Sequence, residues 1–209
     1  MKNQLISTLR SPILWFVVTL TAIALTTAIG PIEKTLGVNA RIIYLHGAWV
    51  WAALAAFLFA GIIGAIALLT RRRVLHAWSR SLGRTGLFFW ITYLPISMWA
   101  MQTSWNGLFL AEPRWRLAVV FGITGLLLQI GVTLLENPIW ASIINGAYVV
   151  VLFAALGATP NVMHPPSPML DSDASRIQLF FALLVLLTLL AAWQIARWWN
   201  YREQPIDLG

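Results

Sequence analysis

Six apolar stretches of about the length needed to cross a lipid bilayer as a helix recur along the 209 residues, at approximately 13–29, 47–69, 86–102, 117–135, 138–157 and 177–198. A hydrocarbon core about 30 Å thick takes about 20 helical residues. In lipid every backbone N–H and C=O must be bonded within the protein, so an apolar run of this length folds as a helix. The pattern predicts an all-α fold: an integral membrane bundle of six transmembrane helices in a single membrane domain, residues 1–209. Composition agrees, since apolar residues supply 59% of the chain and charged ones 10%, against about a quarter charged in soluble domains.

Alternating the loops between two sides places Lys2, Arg10, Arg71, Arg72, Arg73, Arg80, Arg84, Arg197 and Arg202 on one side, and Lys34, Arg41, Arg114, Arg116 and Arg176 on the other. Lysine and arginine concentrate in cytoplasmic loops, so the first set is expected to be cytoplasmic, together with both termini. The loop from Arg71 to Arg84 has no acidic residue, which also suits it to anionic lipid headgroups. This placement accounts for the net charge of +7 without nucleic acid, because the basic residues flank apolar segments and form no continuous soluble face. The stretch Pro12 to Gly30 follows Lys2 and Arg10 as a signal peptide would, but it has no A-x-A cleavage site and reads as a retained span.

Boundary residues fit these spans. Asn137 and Pro138 form a cap and first-turn pair opening the fifth, while Asp171 and Asp173 precede the sixth. Asn39 is placed to cap a helix from Ala40, which would carry the second span beyond the hydrocarbon and put His46 on helix near the outer interface. Pro160, Pro165, Pro166 and Pro168 forbid helix in the last outer loop, which bears His164. Gln129 and Asn145, inside spans, are expected to join helices, and His76 to be a solvated residue of the basic loop.

The residues with chemical potential share the outer side. They are Tyr44 and His46 with Trp49 and Trp51 below; Trp105, Phe109, Glu112, Arg114, Trp115 and Arg116; and Met163, His164 and Arg176. Two imidazoles can hold a haem iron axially, aromatic rings suit the apolar porphyrin, and the arginine fork pairs with carboxylates. Each feature also has a plainer explanation. Interfacial tryptophans are commonly anchors, a lone interfacial histidine is commonly solvated, and Arg114 and Arg116 are placed to snorkel or pair with Glu112. No close metal motif occurs, and the absence of cysteine excludes disulfides, thiolate metal sites and iron–sulfur clusters borne by this chain.

In order and spacing, RIIYLHGAW with His46, SWNGLFLAEPRWR with Trp105 to Arg116, and NVMHPPSPM with His164 resemble the haem-handling membrane proteins of cytochrome c assembly, of the six-span CcmC-like type. The resemblance covers nearly the whole chain. Against the family pattern W-G-x-W-W-x-W-D-x-R, Trp105 stands at the first tryptophan, Phe109 at an interior aromatic, Glu112 at the aspartate and Arg114 at the arginine. Leu108 and Ala111 replace two tryptophans, Gly107 is shifted, Trp115 is additional, and no Trp-Trp pair precedes His164. The chain is identified as a divergent member with a degenerate tryptophan-rich loop.

The resemblance implies haem delivery rather than enzymatic turnover, in the inner (plasma) membrane. Haem of b type would be bound transiently on the outer side between His46 and His164, against Trp105, Phe109, Glu112, Arg114 and Trp115. It also implies partners: a haem chaperone and an ATP-driven transporter or other assembly subunits. The chain has no G-x-x-x-x-G-K-[ST] phosphate loop of its own. Two other classes fit a small multi-pass chain, a structural subunit of a respiratory complex and a small-molecule permease. A haem-bearing electron-transfer subunit of such a complex would usually place paired histidines within spans, and a permease intramembrane charges or broken helices.

Overall fold

The computed structural model describes residues 11–162, 169–170 and 172–203, and among these the chain forms six helices. They are α1 Pro12–Ala28, α2 Ala40–Thr70, α3 Arg73–Trp105, α4 Pro113–Leu134, α5 Pro138–Ala158 and α6 Ser175–Glu203. Four of them, α2, α4, α5 and α6, are long and apolar enough to cross a membrane, which makes this a multi-pass membrane protein. The 17-residue α1 is apolar but shorter, and α3 carries Arg73, Arg80 and Arg84 in its first half.

Side-chain caps fix several boundaries. Ser11 Oγ accepts from the Leu14 N–H, Glu112 Oε2 from the Trp115 N–H and Asn137 Oδ1 from the Ile139 N–H, each followed by proline in the first turn. α2 does begin at Ala40, yet Asn39 makes no side-chain cap. Its amide instead donates to the Thr103 carbonyl at 2.9 Å, tying the start of α2 to the end of α3.

The basic segment Arg71 to Arg84 differs from the sequence expectation of a loop. Only Arg71 and Arg72 connect α2 to α3, Arg71 taking a left-handed conformation with φ 57°, and the remaining residues are the first three turns of α3. The two helices, 31 and 33 residues long, reach roughly 47 and 50 Å at 1.5 Å per residue, well past the hydrocarbon. The apolar runs, 47–69 and 86–102, mark only part of each helix. His76, expected to be solvated, is 4% exposed and lies 2.7 Å from Ser142 Oγ across the gap to α5.

α2 and α3 form the most extensively packed pair, and α5 and α6 pack against both. α1 lies on α6 and α2, and α4 on α3 and α5. Small residues on α2 make this possible, with Ala48, Ala52, Ala53, Ala60, Gly61 and Gly64 all buried. Helices without a hydrophobic drive between them associate through such close backbone approach. A Cβ at Gly64 would stand 2.9 Å from both the Ser142 carbonyl oxygen and Ser79 Oγ. Polar links sit beside this contact: Ser79 Oγ donates to the Ala60 carbonyl, Asn145 Nδ2 donates to the Ser79 carbonyl, and Gln129 Nε2 donates to Asn145 Oδ1. Together they join α2, α3, α4 and α5.

Gly64→Ala is expected to destabilise the purified protein by about 1–3 kcal/mol, the usual cost of overpacking. At Gly131, where a Cβ meets nothing within 4 Å, alanine should be neutral or stabilise by up to about 1 kcal/mol. Thermal unfolding of both variants in detergent measures the contrast.

Candidate functional site

At the end of the bundle opposite the Arg71–Arg72 turn, α2, α3, α4 and the approaches to α6 enclose a cavity of about 650 Å³. This lies within the range of roughly 300–1,000 Å³ in which small-molecule and cofactor sites fall. Its walls come from helix faces set by the 3.6-residue period. α3 contributes Trp90, Tyr93, Ser97, Met101 and Ser104, one continuous stripe, and α2 contributes Ile43, His46, Gly47, Val50, Trp51 and Leu54.

His46 stands partway along the α2 wall. Its ring lies 5.0 Å from that of Tyr93, centroid to centroid, at 38°, and Tyr93 lies 5.7 Å from Trp90. Trp90 is fixed by its own hydrogen bond, Nε1 donating to the Ala118 carbonyl at 2.9 Å. Gly47, next to the histidine, is held against Met169 and Phe181, and a Cβ there would fall 2.5 Å from the Met169 methyl. Bulk at position 47 would displace the segment that carries His46.

The rim is more polar than the depth. Glu33, Ser104, Glu112, Arg114, Asn161 and Ser172 line it. Glu33 Oε2 accepts from the Thr35 and Leu36 N–H groups, and these bonds, Leu36 foremost, hold its carboxyl below the usual carboxylate range. Glu112 is occupied in part by capping α4. Arg114 does not pair with Glu112; its guanidinium donates to the Leu156 and Thr159 carbonyls at 3.0 and 3.3 Å. Among the described residues, buried polar atoms of the lining without a hydrogen-bond partner include Tyr44 Oη, Ser104 Oγ, Arg114 Nε and Asn161 Oδ1. Buried polar groups are normally satisfied, so this concentration at one cavity fits a ligand with a polar end. Deeper in, Val50, Leu54, Trp90 and Ala118 offer only apolar and aromatic surface apart from the bonded indole N–H.

Of the residues singled out in the sequence, His46, Trp105, Glu112, Arg114 and Trp115 meet on this one cavity. Phe109 is not on its wall; it is 40% exposed and packs edge-on against Trp105, 5.9 Å between centroids. Arg116 is exposed and donates to the Leu110 carbonyl. His164 and Met163 lie outside the described residues. Sequence reasoning missed Trp90, Tyr93, Ser97 and Ser104, although their spacing of three and four along α3 was a readable signal. It also missed Asn161, for which no signal existed. The imidazole, the aromatic walls and the unpartnered Arg114 Nε fit a flat apolar ligand with carboxylates at one edge. No protein-family model, curated protein or solved structure matches the chain.

The chain has no cysteine, so single introduced thiols report on the cavity without background. Ser172→Cys, on the rim, should react with a small methanethiosulfonate reagent in the purified protein, and Ser81→Cys, fully buried and off the cavity, should stay unmodified until unfolding. Mass spectrometry of the two variants reads the result.

Proposed function

We propose that this protein handles haem in cytochrome c biogenesis, holding it transiently in the cavity described above and passing it to an assembly partner. The observation that carries this is the presence of His46 on the wall of an aromatic cavity whose rim bears Arg114 with an unpartnered Nε–H. Neutral imidazole is a common iron ligand. Trp51, Trp90, Tyr93 and Trp105 would take the faces of the porphyrin, and Arg114, anchored by two backbone carbonyls, would meet a propionate at the rim.

In this proposal all six helices cross the inner membrane, the arginine-rich end and both termini are cytoplasmic, and the cavity faces outward. His164 would be the second residue to hold the iron. A haem chaperone and an ATP-driven transporter are the proposed partners, and the chain itself makes and breaks no covalent bond. Its residues bind, orient and shield the cargo.

Haem added to the purified protein should give a Soret band at stoichiometric saturation. His46→Ala should shift that band and weaken binding by at least about tenfold, a loss of about 1.4 kcal/mol. Arg114→Gln should weaken binding about tenfold without moving the band, because it removes a propionate contact and leaves the iron alone. A wild-type protein with no Soret band, or a band untouched by His46→Ala, contradicts the proposal.

A further inference from the structure

The opposite end of the bundle carries donors that lack acceptors. Arg80 and Arg84, one turn apart on α3, both reach Glu203 at the end of α6. Arg84 Nη1 donates to Oε1 at 2.6 Å, and Arg80 Nε lies 3.5 Å from the same oxygen without forming a hydrogen bond. Arg84 also donates to Thr133 Oγ1 at 3.2 Å and lies over the Trp199 ring, 5.2 Å from its centroid. Two guanidinium groups therefore share one carboxylate, leaving a positive charge over. Among the described residues, Arg80 Nε and Trp199 Nε1 are buried with no hydrogen-bond partner. Both are N–H groups that can only donate.

More positive charge surrounds this point. Arg71 and Arg72 form the α2–α3 turn, Arg73 opens α3, and Arg202 lies over Trp198 at 4.5 Å. An arginine and tryptophan belt at the end of a membrane helix belongs at the level of the lipid headgroups, where the abundant acceptor is phosphate. We propose that the end of the bundle between α3 and α6 binds the phosphate of an anionic phospholipid, with Arg80 Nε and Trp199 Nε1 as donors and Arg84 supplying the field. Glu203 orients the two arginines, and the residual charge selects an anionic over a zwitterionic lipid. The site is independent of what the cavity binds.

Full-length protein in neutral detergent is titrated with phosphatidylglycerol, phosphatidylcholine or inorganic phosphate, with thermal unfolding as the readout. Phosphatidylglycerol should raise the unfolding temperature in a saturable manner, and the other two should not at equal concentration. Trp199→Phe, which keeps the ring and removes only the N–H, and Arg80→Gln should each weaken the phosphatidylglycerol effect on the order of tenfold. Equal stabilisation by both lipids, an unchanged effect in both variants, or free phosphate as effective as the lipid overturns the site.

Discussion

The two-residue reversal at Arg71 and Arg72 is the constraint on which the rest of the bundle depends. It leaves α2 and α3 no choice but to run antiparallel in contact, and the alanines and glycines of α2 let them do so closely. With the hairpin closed, His46 and Tyr93 face each other at one level. The other helices then dress this pair. Gly64 admits α5, Thr188 of α6 donates to the Ala48 carbonyl at 3.1 Å, and Trp90 reaches across to α4. The cavity exists because α2 and α3 continue past these contacts at their far ends.

Polar satisfaction divides the molecule in three. Through the middle, buried polar groups find partners: Trp49 Nε1 donates to Thr92 Oγ1, Tyr148 Oη to the Phe121 carbonyl, and Asn145 to Ser79. In lipid such groups have no water to fall back on. Most unsatisfied atoms instead collect at the two ends, around the cavity rim and between Arg80 and Trp199. Both ends mix donors and acceptors, with aromatic walls at one and, at the other, Arg80 Nε, Trp199 Nε1 and Asn200 Oδ1 in an excess of positive charge. Each arrangement fits a different kind of ligand, and those differences underlie the two proposals.

The helices were legible because hydrophobic length is a strong signal, and the caps at Asn137 and Pro138 sharpened one boundary to the residue. The extent of α3 was not. Its first turns hold Arg73, His76, Arg80 and Arg84 and so resemble a loop, whereas what keeps them helical is tertiary: His76 against Ser142 and Ser79 against α2. Five of the seven site residues named from sequence share the cavity, because α2, α3 and α4 carry them near ends that the bundle brings together. Phe109 stands off the cavity wall, and its loop position gave no facing direction, while the α3 stripe of Trp90, Tyr93 and Ser97 reads in the sequence like an ordinary span.

The central claim is that the cavity and the arginine-rich end lie on opposite sides of the membrane. Single cysteines at Ala111, in the loop beside the cavity, and at Arg72, in the opposite turn, are both exposed and test it with a membrane-impermeant maleimide. Ala111→Cys should be modified in intact cells and protected in inside-out vesicles, and Arg72→Cys should behave in the reverse way. Labelling of both positions from the same side would contradict the account.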